Sequence, residues 1–134
     1  MDCTVHACSA TTPLQTFRVN IALPAGQTVT ALTLLVGYRS DLVSIPGSGA
    51  DTSVAGRFKN RPSNTVFAAF DLDYAVRTVL GRSAGFASGR IFTIDFDSCS
   101  GASAATPADF GCSVVGCANG FGDVSDCVCT VSVP

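Results

Sequence analysis

Residues 14–23 set Phe17, Val19, Ile21 and Leu23 on one side of an extended chain and Thr16, Arg18 and Asn20 on the other. A period of two is what a strand with one buried face requires, and a helix cannot satisfy it. The run stops at Pro24-Ala25-Gly26, where proline presets a turn and glycine tolerates one. Similar runs recur, separated by breakers at the spacing of about 8 to 12 residues expected of a β-sandwich. Residues 29–38 are more continuously apolar, as a central strand is, and residues 42–45 form a short strand after Arg39-Ser40-Asp41. Pro46-Gly47-Ser48-Gly49 is a turn.

Residues 53–59 and 64–72 read as two further strands around Asn60-Arg61-Pro62-Ser63, with Val66, Ala68, Phe70 and Leu72 facing in and Asp71 and Asp73 facing out. The β-branched Val76, Thr78 and Val79 favour a strand over a helical turn at 74–80. In 89–97, Phe92, Ile94 and Phe96 face in and Thr93, Asp95 and Asp97 face out, and a last hairpin pairs 110–115 with 124–133. Composition agrees: there is no Glu, Lys59 is the only Lys, and 13% of residues are charged where about 25% is usual. Exposed helix faces are normally built from Glu, Lys, Gln and Ala, and here Ser, Thr, Asn and Gly take the polar positions. The expected architecture is all-β: a single domain over residues 1–134, an antiparallel β-sandwich of about nine strands, jelly-roll or immunoglobulin-like, with a disulfide-stapled C-terminal hairpin.

Seven cysteines stand at the two ends of the chain, Cys3 and Cys8 at one and Cys99, Cys112, Cys117, Cys127 and Cys129 at the other. A zinc centre would show closely spaced Cys pairs with His, whereas this chain has one His and no Cys-x-x-Cys. Disulfides are the expectation, and with them an oxidising, exported setting. Cys117 and Cys127 bracket the Gly-rich residues 118–123 as a bridge across a loop would. Cys99 and Cys112 bracket the Ala, Ser and Thr-rich residues 100–110, leaving Cys129 to reach Cys3 or Cys8. The odd cysteine is left for a free thiol, a link between subunits or a lipid attachment at Cys3. No charged segment followed by an apolar one opens the chain, so an export signal is expected to have been removed already.

The run Val29-Thr30-Ala31-Leu32-Thr33-Leu34-Leu35-Val36-Gly37-Tyr38, followed by Asp41-Leu42-Val43, resembles the cohesin-like family, whose members show an alternating strand ending in an aromatic before a short turn. Residues 64–71, Ser88-Gly89-Arg90-Ile91-Phe92 and the Val-rich 128–133 fit the same pattern, and the resemblance spans about residues 14–97. It implies a jelly-roll sandwich whose relatives bind protein partners such as dockerins in extracellular assemblies. The cysteine-rich tail departs from that family, and no residue-level recognition motif carries a dockerin-type partner over.

Chemistry is sparse. His6, the only His, lies beside Cys8 near a terminus, and a first-strand His next to a bridged Cys is the plainer reading than a catalytic pair. No Gly-rich segment is followed by an amphipathic helix that would cradle phosphate. The net charge of -2 with arginines dispersed along the chain disfavours nucleic acid, and no apolar run reaches the roughly 20 residues that span a bilayer. Asp71, Asp73, Asp95 and Asp97 are calcium candidates if their strands are adjacent, against the plainer reading of a solvated face neutralised by Arg77 and Arg90. Phe67 and Phe121 are the exposed aromatics in this reading, and without Trp a sugar platform is poorly furnished. The expected function is non-catalytic and without a cofactor: binding a protein partner or self-assembling at a cell surface or outside the cell, with a carbohydrate-binding module as the alternative.

Overall fold

The computed structural model describes residues 8–9, 15–45, 49–72, 74–99 and 104–134, the side chains of Cys8 and Ser9 excepted. In these, the period-two segments form eleven strands: β1 (Cys8–Ser9), β2 (Gln15–Ala22), β3 (Ala31–Gly37), β4 (Val43–Ser44), β5 (Phe58–Lys59), β6 (Val66–Asp71), β7 (Ala75–Gly81), β8 (Gly89–Cys99), β9 (Gly111–Asn119), β10 (Gly122–Asp123) and β11 (Val128–Ser132). They make two antiparallel sheets. In one, β8 lies between β2 and the short strands β4 and β5, with β1 also on β8 and β11 on the far side of β2. In the other the order is β10-β9-β3-β7-β6.

Each sheet buries one row of apolar side chains against the other. Phe17, Val19 and Ile21 of β2 and Phe92, Ile94 and Phe96 of β8 meet Leu32, Leu34 and Val36 of β3 and Val76 and Leu80 of β7, all buried. One lateral seam is aromatic: Phe58 of β5 packs against Phe67 of β6 and Phe92, each ring pair 5.2 Å between centroids. The opposite seam is covalent. Cys112 of β9 is bonded to Cys129 of β11, with Cα atoms 5.6 Å apart, and Cys117 to Cys127, 6.5 Å apart. The stapled C-terminal arms therefore belong to different sheets, β9 pairing with β3 and β11 with β2, and the tight hairpin there is β9–β10.

The Cys117–Cys127 bridge is the expected one. The Cys99–Cys112 pairing and the reach of Cys129 to Cys3 or Cys8 are corrected: Cys112 faces the interlayer space opposite β11, where Cys129 is its nearest neighbour in the other layer, while β8 holds Cys99 elsewhere. Cys99 is itself disulfide-bonded to a partner outside the described side chains, and the backbone of Cys8 pairs with that of Cys99. Cys3 lies outside the described residues.

Two local readings also change. The expected strand over 53–59 begins instead as one helical turn, α1 (Thr52–Ala55), because tertiary burial of Val54 outweighs its β propensity. In β6 the parity is inverted: Phe67, Ala69 and Asp71 turn inward, and Val66 and Phe70 are exposed. The strand at Ala75–Gly81 is as expected.

The bridges close loops of 17 and 10 residues, so each constrains the unfolded chain by about 3 kcal/mol. Replacing Cys112 and Cys129 together by Ser should lower unfolding stability by about 2 to 4 kcal/mol in urea titration. Thr78 is fully buried on β7, and its hydroxyl has no hydrogen-bond partner among the described residues. Thr78→Val therefore should raise stability by about 1 kcal/mol in the same titration.

Candidate functional site

The three described aspartates of the candidate set do not converge. Asp71 belongs to β6 and points inward, whereas Asp95 and Asp97 lie on the outer side of β8 in the other sheet, so the adjacency a shared cation needs is not met. Asp73 lies outside the described residues, as does His6. Among the described residues no group of three or more His, Cys, Asp or Glu side chains is placed to hold a metal ion.

Each of these three carboxylates has a partner of its own. Tyr38 Oη donates to Asp71 Oδ1 at 2.5 Å inside the sandwich. Asp97 Oδ1 lies 2.8 Å from Arg57 Nη2 in a largely buried ion pair. Asp95 accepts from Thr16 Oγ1 at 2.7 Å and faces Lys59 at 3.6 Å. Arg57 and Lys59, not Arg77 and Arg90, thus neutralise the β8 aspartates. They do so because β5 runs beside β8, opposing Lys59 to Thr93, and places both cations over its outer side. Far from these, Arg39 is an exposed surface cation whose pKa is raised by its hydrogen bond to Asp41 and by that carboxylate's charge.

What remains is the character of the two outer faces, and they are opposite. On the five-stranded sheet, register aligns three rows of outward side chains: Phe70, Arg77, Leu35 and Ser113; Ala68, Val79, Thr33 and Gly116; and Val66, Gly81, Ala31 and Ala118. Val115, displaced at the register shift of β9, adds to the second row. Val66 is 78% exposed, Val115 57%, Val79 41% and Phe70 38%. Arg77 is the single charge in these rows. A solvated antiparallel face is normally polar, and a contiguous exposed apolar patch is the feature that marks interaction surfaces.

The six-stranded sheet presents the reverse. Thr130, Asn20 and Arg90 form one outward row, Ser132, Arg18, Thr93 and Lys59 the next, and Thr16 with Asp95 a third. Here amide and hydroxyl pairs bind across strands, as where Asn20 Nδ2 donates to Ser132 Oγ at 3.0 Å and Asn60 Nδ2 to Thr93 Oγ1 at 3.1 Å.

No aromatic platform forms. Phe121 is fully exposed as expected, but Phe67 is not: it lies against Phe58 and Phe92 with the Arg61 guanidinium 4.6 Å from its ring centre. Every ring pair among the described residues lies among Phe17, Tyr38, Phe58, Phe67, Phe92, Phe96 and Phe110, and none includes the exposed Tyr74, Phe70 or Phe121. Sequence patterning missed the apolar outer face because it assigns the more hydrophobic parity of a strand to the core. The usable signal was Asp71, an acid in an inward position that Tyr38 satisfies.

The chain is thus a disulfide-bridged, two-layer antiparallel β-sandwich with one apolar and one polar outer face. No family model, curated protein or solved structure matches it.

Removing the hydroxyl of Tyr38 takes one hydrogen-bond donor from the buried Asp71. Tyr38→Phe is expected to cost about 1 to 3 kcal/mol of stability, measured by denaturant unfolding, whereas Tyr74→Phe, on an exposed ring, should change little.

Proposed function

We propose that this protein is an extracellular, non-catalytic binding module that docks a protein partner on the outer face of its five-stranded sheet, as part of a cell-surface or extracellular assembly. The observation that carries the reading is the field of outward Val66, Phe70, Val79, Leu35 and Val115 around the lone Arg77. Edge strand β6, which pairs with β7 on one side and is bridged on the other at Asp71 by Gly49, borders that field and carries no Lys or Arg that would discourage strand addition. The cohesin-like pattern of the sequence points to the same class, and the disulfides suit an oxidising compartment. No helix among the described residues is long and apolar enough to cross a membrane.

The partner surface that fits is apolar with one carboxylate. A second copy fits less well: two-fold packing of this face on itself brings together two central Arg77 side chains, and none of the outward positions in the three rows supplies an acid. A carbohydrate module relying on ring stacking has little support in the positions of Phe70, Tyr74 and Phe121.

Affinity capture from the extracellular fraction of the source tests this. A partner retained by the wild type and by Arg77→Lys should be lost with Arg77→Glu and with Val79→Asp, while Thr130→Lys on the opposite face keeps it. Equal capture by all variants overturns the assignment. A concentration-dependent dimer in sedimentation that Val79→Asp dissociates assigns the face to self-assembly instead.

A further inference from the structure

The arginines that are dispersed in sequence are not dispersed in space. Arg18, Lys59, Arg61, Arg82 and Arg90, five of the eight basic residues of a chain whose net charge is -2, line three clefts that share Asn60, with volumes of about 700, 350 and 330 Å³. Asp95 is the single acidic side chain among the lining residues, and Lys59 and Thr16 already engage it; Pro134 lines the same cleft without an ion pair to Arg18 or Arg90. The fold builds this concentration around the loop between β5 and β6. Asn60 and Asn64 adopt left-handed backbone conformations, φ 58° and 56°, which asparagine tolerates better than most residues. Arg82 Nε donates to Ser63 O at 2.9 Å, and its Nη1 donates to Gly85 O, so this guanidinium anchors the loop to the end of β7. Arg61 is spread over the Phe67 ring.

Arg18 and Arg90 are left uncommitted: among the described residues neither forms an ion pair or a side-chain hydrogen bond, and Arg18 Nε is enclosed without a partner. Both face the cleft that also holds the Lys59 ammonium and the Thr16 and Thr93 hydroxyls. Guanidinium forks bind planar oxyanions through paired, charge-assisted hydrogen bonds, and amides and hydroxyls suit a polyhydroxylated ligand.

We propose that these clefts bind an acidic polysaccharide through its carboxylates, with Arg18 and Arg90 as the primary contacts and Lys59 and Arg61 extending the track. This surface borders the apolar face assigned above to a protein partner at Val66, which lines the first cleft, but its basic residues lie outside the three rows of that face, and either assignment stands without the other. Nucleic acid is a poorer fit because the only aromatic rings lining the clefts are Phe58, Phe67 and Phe86, of which Phe58 is buried, Phe67 is covered by Arg61 and Phe86 is partly buried against the core. Base stacking, the common basis of single-strand binding, has no exposed ring there.

Calorimetric titration with a short polygalacturonate, its neutral methyl ester and a single-stranded DNA of matched charge tests the proposal. The acid form should bind, the ester should not, and affinity should fall about tenfold between roughly 0.05 and 0.5 M salt. Arg18→Gln with Arg90→Gln should weaken binding by about tenfold or more, and Arg39→Gln, remote from the clefts, should leave it unchanged. Since Arg18 is half-buried, the pair Arg61→Gln with Arg90→Gln, both exposed, repeats the test should the first variant not fold, and must also weaken binding. Absence of binding, equal binding of the ester, indifference to the arginine variants, or tighter binding of the DNA would overturn it.

Discussion

The parity of β6 governs what this protein shows to its surroundings, and two interior contacts hold it. Phe67 fills the seam between the layers against Phe58 and Phe92, and the Asp71 carboxylate receives the Tyr38 phenol. Because side chains alternate along a strand, a slip of one residue would exchange every inward and outward position. The slip would bury Val66 and Phe70, which is favourable by itself, but it would empty the aromatic seam and expose or strand the acid. A large ring in a shaped gap and a buried carboxylate with a matched donor together outweigh the burial of two aliphatic or aromatic groups. The apolar outer face is the consequence.

The two seams of the sandwich solve one problem by different means. On the side of β5 and β6 the layers are held by interlocking rings, which demand close packing but no special chemistry. On the side of β9 and β11 the inward positions carry cysteines, and two bonds tie the sheets together. With the layers secured from within, the outer faces need not serve stability, and they diverge: apolar on one sheet, polar and cationic at one end of the other. That separation gives a chain with few charged residues two chemically different outer surfaces.

The fold class was legible in the chain because burial of one strand face leaves a period of two, and nearly every run with that period became a strand. Residues 53–59 escaped because a single buried side chain, Val54, was enough to wind one turn. The Cys117–Cys127 bridge was legible because it is local, whereas Cys112–Cys129 depends on which strands face each other across the layers. The acidic positions were read correctly as strand residues, yet their partners Arg57 and Lys59 come from a strand whose place beside β8 is set by packing.

By itself the sequence determined local matters: where the chain is extended, where it turns, that helices are disfavoured and that cysteines staple it. Those follow from properties of single residues and their near neighbours. Tertiary structure alone decided which parity of β6 is buried, which cysteines meet, and that Arg18, Lys59, Arg61, Arg82 and Arg90 gather around one loop. Each of these depends on contacts between residues distant along the chain, and the energy of such a contact exists only after both sheets have closed on one another.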